Sequence, residues 1–311
     1  MVALVLGIIR VIPRGAGLRL MRALGYILYY LMPERRRIAR INLDIAYGDG
    51  KSPSRKERIA RESFQGSMAL LFDFLKVPQL SPEEREGIVA IEGEERLKEA
   101  LDLGRGVLAV SAHYGNFLLL LCHLGLKGYP LHVVTRHFRS ERLERVYTAI
   151  FERFRVYTFP RRHEAANILK ALRNGEIVGY VLDQNMRAEN GVFVNFFGRK
   201  ASTIKGLATL AGRYGSPILP IYIVSTPDGR HRIHVGQATL PENPKEMKTR
   251  EQELTQRYTT MIEEWIRLRP EQWLWSHRRF KTRPEGEPPV YPPRSAFKTL
   301  LKQRRRRRRS S

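Results

Sequence analysis

The stretch Gly106–Gly128, GVLAVSAHYGNFLLLLCHLGLKG, decides the fold. Its first part, GVLAVSA (106–112), is a short continuous apolar run between a glycine and a polar cluster, the pattern of a strand buried on both faces. Gly115 and Asn116 break the run, and the apolar residues that follow extend far enough for a helix that closes at Gly128. A strand feeding a helix is the opening of a βαβ unit, and the alternation continues downstream. LHVVTR (131–136) reads as a strand, Ser140–Phe154 and Glu164–Asn174 as helices, and EIVGYVL (176–182) as a strand. After a long loop through Thr203 come a helix ending at Tyr214, the strands PILPIYIV (217–224) and HRIHV (231–235), and a closing helix, Arg250–Leu268. Upstream, GDGKSPSRK (48–56) reads as a loop and Arg58–Val77 as a helix. This order predicts an α/β fold with a largely parallel central sheet flanked by helices.

In such sheets ligands collect at the carboxyl ends of strands. Three polar clusters fall there: Ser111-Ala112-His113, Thr135-Arg136-His137 and Asp183-Gln184-Asn185. His113 sits between a strand and the positive end of a helix, which disfavours imidazolium and leaves a neutral imidazole available as a base. The amides at Gly115 and Asn116, with the Asn116 side chain, are candidate donors to an oxyanion. A histidine at a strand end is also a common structural residue, and spacing alone leaves both roles open.

The chain holds 55 Lys and Arg against 31 Asp and Glu, a net charge of +24 that suits a polyanionic partner. Six of these charges form the run Arg304–Arg309, read either as a solvated tail or as a polyanion contact. The excess persists without them. Arg10, Arg14, Arg19 and Arg22 interrupt the apolar N-terminus, so it is too short for a bilayer span, which needs ~20 apolar residues. On helical spacing Arg14, Arg19 and Arg22 share one arc, leaving Leu18, Leu20, Met21, Leu24, Ile27, Leu28 and Leu31 to cover much of the rest. That is the pattern of a helix lying in a membrane interface, with Tyr26, Tyr29 and Tyr30 at headgroup level. A helix docked on a soluble core is the other reading. PERRRIARINLDIAYG (33–48) adds a second basic amphipathic segment, which favours an anionic membrane surface. The expected organisation is a membrane-interface helical segment, 1–47, a catalytic domain, 48–283, and a basic tail, 284–311. A nucleic-acid partner is favoured by charge alone, because no RNA-binding motif or helix-turn-helix pattern accompanies it. The single cysteine, Cys122, excludes an internal disulfide and a thiolate cage, and His123, His132 and His137 lack metal-site spacing. No G-x-S-x-G elbow or phosphate loop is present.

Three motifs occur in order: SAHYGNFLLLLCHLGLKGYPL (111–131), LDQNMRAENGVFVNFFGRKAST (182–203) and RPEQWLWSHRRFKTRP (269–284). Together they resemble the late acyltransferases of lipid A biosynthesis, within the lysophospholipid acyltransferase superfamily, over about Leu20 to Arg283. The resemblance implies transfer of a fatty acyl chain from a thioester, usually on acyl carrier protein and otherwise on coenzyme A, to a hydroxyl of a membrane glycolipid. It also implies no metal or cofactor, and peripheral residence on the cytoplasmic face of the inner membrane.

In that family the base is a histidine followed, after four intervening residues, by an Asp or Glu that orients it. Here His113 is present and the acidic position is Leu118. Asp183 is the leading substitute, with a turn-capping role as its alternative, and Glu189 is a second candidate. Loss of the acid would instead mark a catalytically degenerate lipid binder. Arg136, Arg145 and Arg187 are candidates to grip phosphate, since guanidinium binds it bidentately. A salt-bridged helix face is the alternative for Arg145. Val192, Phe193, Val194, Phe196 and Phe197 are read either as a wall for an acyl chain or as core, and Thr203 closes the motif as a further substrate-binding candidate. Trp273 and Trp275 fit a core strand or an aromatic anchor in the headgroup layer, and His277 a structural role.

Overall fold

A computed structural model describes residues 2–134, 140–159, 164–241 and 249–293. Four helices come first: α1 (Val2–Val11), α2 (Arg14–Leu31), α3 (Pro33–Tyr47) and α4 (Pro53–Lys76). The α4 helix begins five residues before the expected Arg58, because Ser52 caps it and Pro53 opens the first turn, where no amide donor is needed. After the short α5 (Pro82–Glu86) come β1 (Val89–Glu92), α6 (Glu94–Asp102), β2 (Val107–Ser111), α7 (Phe117–Leu126) and β3 (Leu131–Val133). Next are α8 (Glu141–Arg153), β4 (Val156–Thr158), α9 (Glu164–Arg173) and β5 (Ile177–Val181). The chain continues through β6 (Gly191–Phe196), β7 (Arg199–Ile204), α10 (Leu207–Tyr214), β8 (Ile218–Ser225), β9 (His231–Val235) and α11 (Glu251–Leu268).

Seven strands form one sheet in the order β1-β9-β8-β2-β5-β3-β4. Every pairing in it is parallel except β8 with β9, which are joined by a tight turn and run antiparallel. The expected α/β architecture is therefore observed, with two edge strands, β1 and β4, too short to stand out in the sequence. Along β2 the side chains alternate between two cores. Leu108 and Val110 face one lined by α3, α10 and α11, while Val107 and Ala109 face the other, with α6, α7 and α8. Burial on both faces explains why β2 reads as an unbroken apolar run.

The segment expected as a loop through Thr203 contains the β6–β7 hairpin. Val194, Phe196 and Ala201 are buried while Asn195 and Lys200 are exposed, an alternation that the adjacent phenylalanines obscured. Its two-residue turn, Phe197-Gly198, has both residues at positive φ, the twist that a tight hairpin requires. Phe197 tolerates this because its ring is buried against Tyr47 and Trp275.

The N-terminal helices are built into the fold. On α2, Gly17, Gly25 and Tyr29 are buried against α4, and a Cβ at Gly25 would lie 2.6 Å from the Gln65 Cα. The opposite stripe, Leu20, Leu24, Ile27 and Leu31, is exposed with Tyr26 and Tyr30. Tyr29, expected at headgroup level, is instead fully buried, its hydroxyl donating to Glu57. The apolar side of α3 is likewise turned inward. Ile38, Ala39 and Leu43 belong to the core, and the Asn42 amide donates to the carbonyls of Trp275 and His277, both at 2.7 Å. Trp273 and Trp275 are buried as well, so they are core residues and not headgroup anchors. Among the described residues no helix is long and apolar enough to cross a membrane. The Arg304–Arg309 run lies outside the described residues.

Candidate active site

His113 follows β2 and Asp183 follows the adjacent β5, so parallel pairing of the two strands brings the residues to one sheet edge. The His113 Nδ1 lies 2.9 Å from Asp183 Oδ1, and the His113 backbone amide donates to Oδ2 at 3.1 Å. The Trp273 indole also donates to Oδ2, at 2.9 Å. Asp183 is buried. Burial opposes its charge, but the His113 ring and amide and the Trp273 indole together hold its carboxyl well below the usual range. A carboxylate only accepts, so Nδ1 carries the ring proton. Nε2 is left with the lone pair of a base.

The backbone around the histidine is tightly specified. Gly115 has φ +56, and a Cβ there would lie 2.0 Å from the Ile223 carbonyl oxygen, so only glycine fits. Two expected oxyanion donors are committed elsewhere. The Gly115 amide donates to the Gln272 carbonyl at 3.0 Å. The Asn116 side chain caps α7 by accepting from the Leu119 amide at 3.1 Å, and its NH₂ points to the Leu70 carbonyl. The first amides of α7, at Phe117 and Leu118, lack intrahelical acceptors, as at any helix start, and they follow the His113 turn directly.

Two cavities meet at His113, Phe117 and Leu274. One, of about 650 Å³, is largely apolar, with Leu118, Leu121, Val133, Tyr147 and Tyr180 in its wall. The other, of about 580 Å³, mixes polar and apolar residues and carries Arg14, Arg22, Arg55 and Arg269 from three parts of the chain, together with the carboxylates of Glu62, Asp73 and Glu271. Leu118 thus lies in an apolar wall and not beside the imidazole nitrogen that Asp183 holds.

Other expected residues fall away from this junction. Phe193 is half-buried in the hairpin and Phe197 is packed in the core beneath Arg267, and neither lines either of these two cavities. Thr203 is buried, accepting from Arg279. Arg187 is exposed and pairs with Glu189, so neither contacts His113, and Arg145 is exposed on α8. Arg136 lies outside the described residues. His277 accepts the Asn185 amide at 3.1 Å, the structural part expected of it.

A polar network in the wall of the arginine-lined cavity was not anticipated. Arg14 grips Asp73 with two bonds, at 2.8 and 2.7 Å, His231 donates to Asp73 at 2.9 Å, and the Ser225 hydroxyl lies 3.0 Å from His231 Nδ1. Asp73 is buried, yet His231 and Arg14 outweigh the burial and keep its carboxyl below the usual range. The signal was present in LLFDFLK (70–76), where one acid interrupts an apolar helix face.

The family described as bacterial lipid A biosynthesis acyltransferase matches residues 1–282. The chain is 28% identical over 268 residues to the lipid A biosynthesis palmitoleoyltransferase of Escherichia coli K12, covering 84% of this chain and 83% of that one. It is 26% identical over 276 residues to the lauroyltransferase of the same organism, covering 88% of each. A solved 1-acyl-sn-glycerophosphate acyltransferase of Thermotoga maritima covers 79% of this chain and 98% of its own, at 14% identity and a TM-score of 0.36. With a match that takes in both strand ends of the His113–Asp183 pair and the closing tryptophan motif, the chain belongs to the bacterial lipid A biosynthesis acyltransferase family and is an acyltransferase.

Proposed function

We propose that the protein moves a fatty acyl chain from a thioester on acyl carrier protein to a hydroxyl of a lipid A precursor, with His113 as base and Asp183 as its orienting acid. The observation that carries this reading is the position of His113 Nε2, backed by a carboxylate at Nδ1 and set where an apolar cavity meets an arginine-lined one. The apolar cavity suits the acyl chain. The arginine-lined one suits an anionic acceptor headgroup, because guanidinium groups bind phosphate by paired hydrogen bonds.

The acceptor oxygen attacks the thioester carbonyl carbon while Nε2 takes its proton. The oxyanion forms beside the start of α7, where the Phe117 and Leu118 amides and the helix dipole favour negative charge. Collapse breaks the carbon–sulfur bond, and the proton on His113 passes to the departing thiolate, leaving an ester, a thiol and a neutral base. Leu118 by itself argued for a degenerate lipid binder. Asp183 on the imidazole supports the catalytic reading instead.

The exposed Leu20-Leu24-Ile27-Leu31 stripe, flanked by tyrosines and arginines, supports peripheral attachment to the cytoplasmic face of the inner membrane. The basic surface supports an acidic carrier as donor. Lipid mass spectrometry of cells with and without the gene tests the function, and an unchanged lipid A acylation pattern would reject it. Transfer from acyl carrier protein should weaken as salt rises, and equal, salt-independent rates with acyl coenzyme A would reject the carrier assignment.

A further inference from the structure

The base nitrogen of His113 already has a partner. Gln184 Nε2 lies 3.1 Å from His113 Nε2. An amide nitrogen can only donate, so this contact requires the imidazole lone pair as acceptor and agrees with a proton on Nδ1. The lone pair that must receive the acceptor's proton is therefore already engaged by Gln184.

The turn that carries Gln184 is fixed by buried partners. Arg279, fully buried, donates to the Gln184 carbonyl at 3.1 Å and to the Ser202 carbonyl at 2.8 Å. The next residue is held twice, its amide by His277 and its side chain by Thr282 at 3.1 Å. Side-chain rotation is the freedom left to Gln184. Its amide also approaches from a particular side, since Gln184 lines the apolar cavity and is not part of the arginine-lined one. An amide in an apolar wall is held there by its hydrogen bond, because burying an amide without one is unfavourable.

Building on the proposed base role of His113, we infer that Gln184 is a positioning residue that masks the base and is displaced when an acyl chain fills the apolar cavity. The base is then presented to the acceptor hydroxyl only after the donor is seated. Water in a donor-free site meets a lone pair that is already satisfied.

Two variants of the full-length protein test this, the first readout needing no acceptor. Diethyl pyrocarbonate modifies unprotonated imidazole nitrogen, and mass spectrometry reads the extent at His113. In Gln184→Leu the lone pair is uncovered, so His113 should be modified ~10-fold faster than in wild type. In the nearly isosteric Gln184→Glu, a carboxylate at Nε2 favours imidazolium, so modification should slow near neutral pH and recover at higher pH. The acid limb of transfer from lauroyl-acyl carrier protein to a lipid A precursor should then move up by about one pH unit. Modification rates and pH profiles that coincide with wild type in both variants would overturn the masking role. An active His113→Ala protein would instead overturn the catalytic reading on which it rests, so the two failures are distinguishable.

Discussion

His113 and Asp183, separated by seventy positions in the chain, form a 2.9 Å contact because β2 and β5 lie side by side and end in register, Ser111 beside Val181. The acid usual to the family falls at position 118, in the first turn of α7 and on the histidine's own segment. Here the carboxylate comes from the neighbouring strand, and the Trp273 indole and the His113 amide fix it from two further directions. Both arrangements orient an imidazole. The strand-borne one releases position 118 to the apolar wall, where Leu118 is found.

Removing either member of this pair should nearly abolish transfer. His113→Ala loses the base, and Asp183→Asn loses the charge that stabilises the imidazolium formed on proton transfer; each should cost ~10²–10⁴ in kcat. Leu118→Glu should restore nothing to Asp183→Asn and should lower the activity of wild type by placing a carboxylate in the apolar cavity. Steady-state kinetics with melting temperatures in parallel checks this. Rescue of Asp183→Asn by Leu118→Glu would show that the acid acts from α7.

Much of this arrangement is legible in the sequence. Continuous apolar runs and the strand-helix alternation gave the parallel sheet, and His113 and Asp183 both stood at ends of expected strands. Their contact was not legible, because spacing along a chain does not say which strands are neighbours. Gln184 was hidden by the same limitation. The hairpin was missed because Phe196 and Phe197 lie side by side and break the period of two, and the short edge strands because three or four residues carry little pattern. On α3 the amphipathic pattern was visible, but an apolar helix face reads alike whether it meets lipid or a protein core.

Gly25→Ala should destabilise the protein although alanine favours helix by ~1 kcal/mol. The added methyl would meet Gln65 Cα and the Phe64 carbonyl oxygen, each at 2.6 Å, and backbone atoms cannot rotate out of the way. Helix α2 must then lift from α4, at a net cost of ~1–3 kcal/mol. Urea denaturation measures it, and an unchanged or higher midpoint would refute the close helix contact.

Membrane attachment is best tested on the exposed stripe of α2. Deleting residues 1–32 would also remove Arg14 from Asp73 and uncover α4, so loss of activity would be ambiguous. Leu24→Glu with Ile27→Glu puts two charges on the outward face, where Ile27 is 51% exposed and neither side chain belongs to a core. Flotation with anionic vesicles should fall at least ~10-fold while thermal stability is kept. Undiminished flotation would place the attachment elsewhere.

Acid stability depends on a histidine outside the site. His123 lies on α7, buried, its Nδ1 without a hydrogen-bond partner among the described residues. Burial, with smaller contributions from Lys127 and Arg85, pushes its pKa down to about 4. In the unfolded chain an ordinary histidine titrates near 6.5, so between these values the unfolded state binds a proton that the folded state refuses. Stability contributed by the neutral ring is therefore complete above about pH 6.5 and is lost as the pH falls toward about 4, with a slope reaching ~1.4 kcal/mol per pH unit. Leucine approximates the apolar part of the ring and does not titrate. His123→Leu should flatten this limb and raise stability at pH 5 relative to wild type, while leaving the two closer at pH 7.5. Urea unfolding at both values decides the matter. Parallel stability curves for the two proteins would mean that His123 does not titrate differently on folding.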